Sequence, residues 1–136
     1  MMNGSVIIID DDEDILELLS EYLLLEDFDV VGRGTDGLMA VNLYAEHVPD
    51  FVIMDIAMPN YDGIYGLENI KKLNPNAIVI ILTGNSDKSI TQKIIQLNAT
   101  TILEKPYPVE KLVSLLKSIK NSVLYDNSMS TLSSKL

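Results

Sequence analysis

Side chains fit for charge chemistry occur in a few places, each just past a short apolar run. They are the acidic row Asp10-Asp11-Asp12, then Asp55, then Thr83-Gly84-Asn85, and last Glu104-Lys105-Pro106. Carboxylates that end buried strands repel one another unless a cation lies among them. Mg²⁺ suits such a place, because it takes one or two carboxylates, keeps several waters and leaves room for a phosphoryl oxygen. An aspartate beside that cation can attack phosphorus as a nucleophile and become an acyl phosphate. A transferring phosphoryl group spreads its charge over three oxygens, so catalysis is mostly positioning and neutralisation. A lysine ammonium and a hydroxyl from other loops would complete that set.

These residues can cooperate only if the chain brings them to one edge. The apolar runs Val6–Ile9, Phe28–Val31, Phe51–Met54, Ile78–Leu82 and Thr101–Leu103 are short and mostly β-branched, as strands buried on both faces should be. Between them lie patterns of helical period. Ile15, Leu18, Leu19, Tyr22 and Leu23 make one face; Leu38, Val41 and Tyr44-Ala45 a second; Ile64, Leu67 and Ile70 a third. Ile90, Ile94 and Leu97 mark a fourth, and Val109, Leu112, Val113, Leu116, Ile119 and Val123 a fifth. Thr35, Ser86-Asp87 and Pro108 stand where helices two, four and five should start. Strict alternation of strand and helix implies a parallel five-stranded sheet with helices on both faces. Ligands in such sheets bind outside the carboxyl ends of the strands, at a topological switch point. That edge is where Asp10, Asp11, Asp55, Thr83 and Lys105 are expected to meet.

The chain of 136 residues is one domain's worth, and its 47% apolar content can bury a real core. A formal charge of -10 argues against direct binding of nucleic acid or acidic lipid and favours a basic partner or a bound cation. The absence of cysteine excludes disulfides, thiolate metal sites and a Cys nucleophile. No apolar run approaches the length of a membrane span, and Met1-Met2-Asn3-Gly4-Ser5 carries no basic region before the apolar stretch. A cytoplasmic protein is expected. After Asn121 the composition shifts toward Ser, Asn and Thr, which sets the domain at 1–121 and reads 122–136 as a flexible tail or the start of a linker.

Longer motifs surround the charged residues. Val6-Ile-Ile-Ile-Asp10-Asp11 resembles the first strand of the receiver domains of two-component response regulators, the family typified by the chemotaxis regulator. Phe51-Val-Ile-Met-Asp55-Ile-Ala-Met58-Pro59-Asn-Tyr-Asp62-Gly63 resembles that family's phosphoacceptor strand and loop. Ile80-Ile-Leu-Thr83-Gly84 resembles the strand ending in its switch hydroxyl, and Glu104-Lys105-Pro106-Tyr107 its Lys-Pro-aromatic motif, in which the Lys–Pro bond is cis. The resemblance covers roughly residues 5–120 and implies a flavodoxin-like (βα)5 fold. It implies Asp55 as phosphoacceptor, with Thr83 and Lys105 binding the phosphoryl oxygens. Mg²⁺ would be held by Asp11, Asp55 and the backbone carbonyl of Ala57, with Asp10 acting through water. The partners implied are a sensor histidine kinase or phosphotransfer protein, and a downstream protein or second copy on the surface of the fourth helix, last strand and fifth helix. Such a protein catalyses only its own phosphorylation and dephosphorylation and is not otherwise an enzyme. Asp12 matches no functional position and, with Glu13 and Asp14, should favour the positive end of the first helix.

Two departures from the family pattern stand out. Ile102 occupies the position three before the lysine, usually aromatic, which leaves the usual switch pair of Thr83 and ring without its ring. Asn98 stands where Gly is common and still tolerates a left-handed turn. Competing readings are weaker. Gly32-Arg-Gly34-Thr-Asp-Gly37 spells a dinucleotide-binding fingerprint, but after the second strand rather than the first, and turn chemistry can account for its glycines. A dehalogenase-type phosphatase needs an acid two residues after its nucleophile, where this chain has Ala57. A receiver-like module that no longer uses phosphate has no need of Asp11, Asp55, Thr83 and Lys105 together. His47 reads as an exposed helix-end residue without a role.

Overall fold

The computed structural model describes residues 2–84 and 87–135, with side chains as far as residue 124. Asn85 and Ser86, expected in the fourth loop and at the start of its helix, lie outside the described residues. Strands and helices alternate throughout: β1 Gly4–Ile9, α1 Glu13–Leu25, β2 Phe28–Gly34, α2 Gly37–His47, β3 Phe51–Asp55, α3 Gly63–Leu73, β4 Val79–Thr83, α4 Lys88–Gln96, β5 Thr101–Glu104 and α5 Val109–Lys135. All strand pairs are parallel, in the order β2-β1-β3-β4-β5. The chain steps outward from β1 to β2, then returns to the far side of β1 for β3. The switch point therefore falls between β1 and β3.

The chain forms two compact units, Met1–Pro106 with the sheet and α1 to α4, and Tyr107–Leu136 with α5. In the first unit, Ile7, Ile9, Val52, Met54, Val79 and Ile81 share one apolar cluster with Ala40 and Tyr44 of α2, Leu67 and Ile70 of α3, and Ile94 of α4. The alternate residues Val6, Ile8, Phe51, Ile53, Ile80 and Leu82 are as deeply buried on the opposite face. There α1 lies against β1 and β2, and the Phe28 and Phe51 rings meet edge to face. A sheet covered on both faces needs continuous apolar strands, which is why these read as unbroken runs.

Aspartates begin four of the helices. Asp12, Asp36, Asp62 and Asp87 cap α1 to α4, their carboxylates accepting from the N–H groups of Asp14, Met39, Tyr65 and Ser89. Asp12 thus has the helix-start role expected of it, and much of the acidic excess is spent in this way. At α2 the cap is Asp36, one residue beyond the expected Thr35. Asn98 is left-handed, with φ 64°, and closes α4 as its side chain permits.

Two sequence expectations are corrected. The inward face of α1 is Leu16, Leu19 and Leu23, while Leu18 is 65% exposed. β2 runs on through Gly32 and Gly34, with a bulge between its pairings to Val6 and Ile7, so these glycines lie in a strand rather than a turn. Packing is close around them: a Cβ at Gly32 would crowd the terminal methyl of Leu43 at 2.9 Å, and one at Gly34 would meet Met39 Cβ at 3.0 Å. Gly37 is more constrained still, because its Cβ would lie 2.2 Å from the carbonyl oxygen of Asp62. Separately, α5 is helical to Lys135, past the change of composition at Asn121. Ser, Asn and Thr are poor helix formers but do not stop a helix, and no Gly or Pro follows Pro108.

Candidate functional site

Parallel strands of matched register deliver the charged residues to one edge. Ile9 pairs with Met54, Asp55 with Leu82, and Thr83 with Glu104, so Asp10, Asp55, Thr83 and Lys105 end four neighbouring strands. The expected set is brought together within a single unit. One oxygen each of Asp10, Asp11 and Asp55 lies within 4.8 Å of the other two. The Lys105 ammonium stands 3.3 Å from Oδ1 of Asp55 and 3.7 Å from Oδ2 of Asp10. Thr83 is buried at the end of β4, and its carbonyl accepts the Lys105 N–H at 2.8 Å. The Lys105–Pro106 bond is cis, as the resemblance implied.

The electrostatics of Asp10 set this cluster apart. Its Oδ1 accepts the Asp12 N–H at 2.9 Å, a local turn of the kind short acidic side chains make. Its Oδ2 is buried and has no hydrogen-bond partner, the Lys105 ammonium being too distant to donate. Burial pushes the Asp10 carboxyl above its usual range, against the pull of the Asp12 N–H; Asp55 raises it further, Lys105 lowers it, and Asp11 raises it. A buried carboxylate oxygen without a donor, beside two further carboxylates, is the donor set of a hard cation. Asp11 is exposed and Asp55 is 7% exposed, so the cluster opens to solvent from the Asp11 side. The residues present fit Mg²⁺.

The loop after Asp55 is held by backbone contacts that the sequence did not disclose. The Ile56 N–H donates to Leu82 O at 3.0 Å, and the Gly63 N–H to Ile56 O at 2.9 Å. Gly63 has no room for a side chain: a Cβ would lie 2.4 Å from Asp55 O and 2.8 Å from Ile56 Cα. The N–H of Gly37 donates to Tyr61 O at 2.7 Å, tying the start of α2 to the same loop. The Asp62-Gly63 pair was legible as a motif, but its task, a helix cap joined to a close backbone approach, was not. Ala57 is exposed, two residues past Asp55. Ile102 is partly buried in β5 and packs against the main apolar cluster. His47 lies at the exposed end of α2, its ring 3.7 Å from the Glu46 carboxylate.

Comparison with known proteins agrees with this geometry. The family model for the response regulator receiver domain matches residues 6–117. The chemotaxis protein CheY of Bacillus subtilis (strain 168) is 31% identical over 120 residues, covering 88% of this chain and 100% of that protein. Among solved structures, the CheX-CheY-BeF3-Mg complex of Borrelia burgdorferi superposes with a TM-score of 0.79 at 30% identity, covering 85% of this chain and 87% of that one. The CheY-like receiver domain protein of Methanospirillum hungatei JF-1 superposes with a TM-score of 0.85 at 21% identity, a likeness of fold, over 90% of this chain and 97% of that one.

Proposed function

The chain belongs to the response regulator receiver family, and from that premise we propose that it is a phosphorylation switch whose acceptor is Asp55. The observation that carries this reading is the Asp10–Asp11–Asp55 cluster with the Lys105 ammonium 3.3 Å from Asp55. An Asp55 carboxylate oxygen attacks the phosphorus of a phosphohistidine on a kinase or phosphotransfer protein. The P–N bond breaks, its electron pair stays on the imidazole nitrogen, and Asp55 becomes an acyl phosphate. Asp11, Asp55 and the carbonyl of Ala57 would hold Mg²⁺, with Asp10 acting through water. When bound, the cation neutralises charge on the phosphoryl oxygens and offsets the repulsion among the carboxylates. Lys105 supplies a second positive charge, and Thr83 a hydroxyl at the neighbouring strand end. No acid stands at Ala57 to protonate an external leaving group, so the protein modifies only itself and is not a phosphatase of other esters.

The output of the switch is a protein contact. Thr83 moves toward the phosphoryl group, and Ile102, lacking a ring and stiff at χ1, follows little. The response is therefore carried by the loop after Thr83 and by α4, where Ile90 and Ile94 repack against the sheet. The surface of α4 and β5 then receives a downstream protein or a second copy. No helix among the described residues is long and apolar enough to cross a membrane. A cytoplasmic site of action, within reach of a histidine kinase, fits this chemistry.

Labelling from radioactive acetyl phosphate tests the reading. Wild-type protein should take up label only with a divalent cation, Asp55→Asn should take up none, and Asp12→Asn should remain nearly intact. An acid-stable label, or equal labelling in excess chelator, contradicts the acyl-phosphate assignment.

A further inference from the structure

A groove of about 870 Å³ runs between α1 and β2, lined by residues that take no part in the carboxylate site. Glu13, Glu17 and Glu21 form one wall, four residues apart and so on the same side of α1. Asp29 and Arg33 of β2 stand opposite, and Leu24 and Val30 contribute apolar surface, Leu24 being 64% exposed. Among the described residues, none of these acids is in an ion pair, and neither is Arg33. Like charges at this spacing cost the helix stability, and among the described residues no ion pair offsets that cost at Glu17 and Glu21. β2 is also an edge strand, with β1 on one side and no strand on the other.

We infer that this groove docks a basic amphipathic helix of a partner protein. Carboxylates at helical spacing along α1 are matched by Lys or Arg recurring every four residues on a second helix lying beside it. The apolar face of that helix would cover Leu24 and Val30, and Arg33 would take an acidic residue at one end and so set its direction. The sign of the charge selects the occupant. A second copy of this chain, at a net -10, would be repelled, as would a nucleic acid. The groove is separate from the carboxylate cluster, so the inference stands whether or not Asp55 accepts phosphate.

The test is a titration of the full ¹⁵N-labelled chain with a synthetic helical peptide bearing leucines on one face and lysines at four-residue spacing. A peptide of the same composition with its lysines scrambled is the control. The matched peptide should shift amides within 13–24 and 29–33 saturably and bind at least tenfold more tightly than the control. The exposed double change Glu17→Lys, Glu21→Lys should weaken it tenfold or more, and Leu24→Ser several-fold. Equal binding of both peptides, indifference to Leu24→Ser, or shifts centred on Asp10, Asp11 and Asp55 would overturn the inference. Concentration-dependent self-association through the same amides would show that a second copy is the occupant and refute the assigned partner.

Discussion

Replacing Asp10 by Asn should stabilise the folded chain in the absence of a divalent cation. Asparagine keeps the oxygen that accepts the Asp12 N–H and puts an amide donor where Oδ2 now lies without a hydrogen bond. At an effective dielectric of about 20, Coulomb's law gives roughly 4–5 kcal/mol of attraction to Lys105 at 3.7 Å. A carboxylate within 4.8 Å repels by at least about 3–4 kcal/mol on the same scale, so Asp55 alone nearly cancels the lysine. Asp11 is exposed, and solvent reduces its share. The charges about balance, and the uncompensated burial decides the sign, at about 1–3 kcal/mol for an unsatisfied buried group. For a domain of this length that is a rise in Tm of roughly 3–10 °C. The pH dependence follows from the raised Asp10 carboxyl. Below the usual carboxylate range both folded and unfolded chains are protonated and the penalty is absent; it accumulates as pH climbs to the folded value and is complete above it. The variant's advantage should therefore be seen at neutral pH and vanish in acid. Thermal unfolding in chelator measures it, and a repeat in excess Mg²⁺ should narrow or reverse the difference, because the wild type gains more from the cation. An unchanged or lower Tm for the variant in chelator at neutral pH would refute this account of Asp10.

Gly63→Ala forces a methyl group toward Asp55 O and Ile56 Cα, and should cost about 1–3 kcal/mol while reducing labelling of Asp55; unfolding curves and phosphate uptake at wild-type level would contradict it. Val48 closes α2 in the left-handed region at φ 43° and is 63% exposed, so Val48→Asn should gain about 1 kcal/mol and raise Tm by a few degrees in a melting scan. The Lys71 ammonium donates to the carbonyl of Ala77, and burial holds its pKa below the usual lysine value. The unfolded chain then binds that proton more readily, so stability should rise as pH climbs from the folded value toward the unfolded one. Lys71→Met should remove that alkaline gain, and parallel curves for the two proteins from pH 8 upward would exclude it.

The strand cores could be read, because runs such as Val6–Ile9 and Phe51–Met54 are apolar on both faces and end at acids, although β2 runs three residues past its apolar run. The charged edge followed from them, since parallel strands put Asp10, Asp55, Thr83 and Lys105 at one end. The inward face of α1 could not be read in the same way. Ile15, Leu18 and Tyr22 repeat at the same spacing as Leu16, Leu19 and Leu23, and a helix so rich in leucine offers its period two solutions. The glycines of β2 and of the start of α2 misled for a different reason: they are crowded by Leu43 and Met39 at β2 and by the carbonyl of Asp62 at Gly37, contacts distant in sequence or made by side chains that the pattern does not order. The missing donor at Asp10 Oδ2 is likewise a fact of three dimensions, because the acidic row alone cannot say which oxygen water reaches.

The strand order divides labour along the sheet's carboxyl end. The carboxylates of Asp10 and Asp11 follow β1, whereas Thr83 ends β4 and Lys105 follows β5, joined to each other through the Thr83 carbonyl. Asp55, ending β3, is the seam between those halves. On the proposed function, a phosphoryl group on that seam would act as a rivet, gripping through a cation on one side and through the hydroxyl and ammonium on the other. Modification of one atom would thus change the mechanical continuity of four strands, and β5, an edge strand held on one flank only by β4, is the part with most slack to lose. Amide exchange should slow first there.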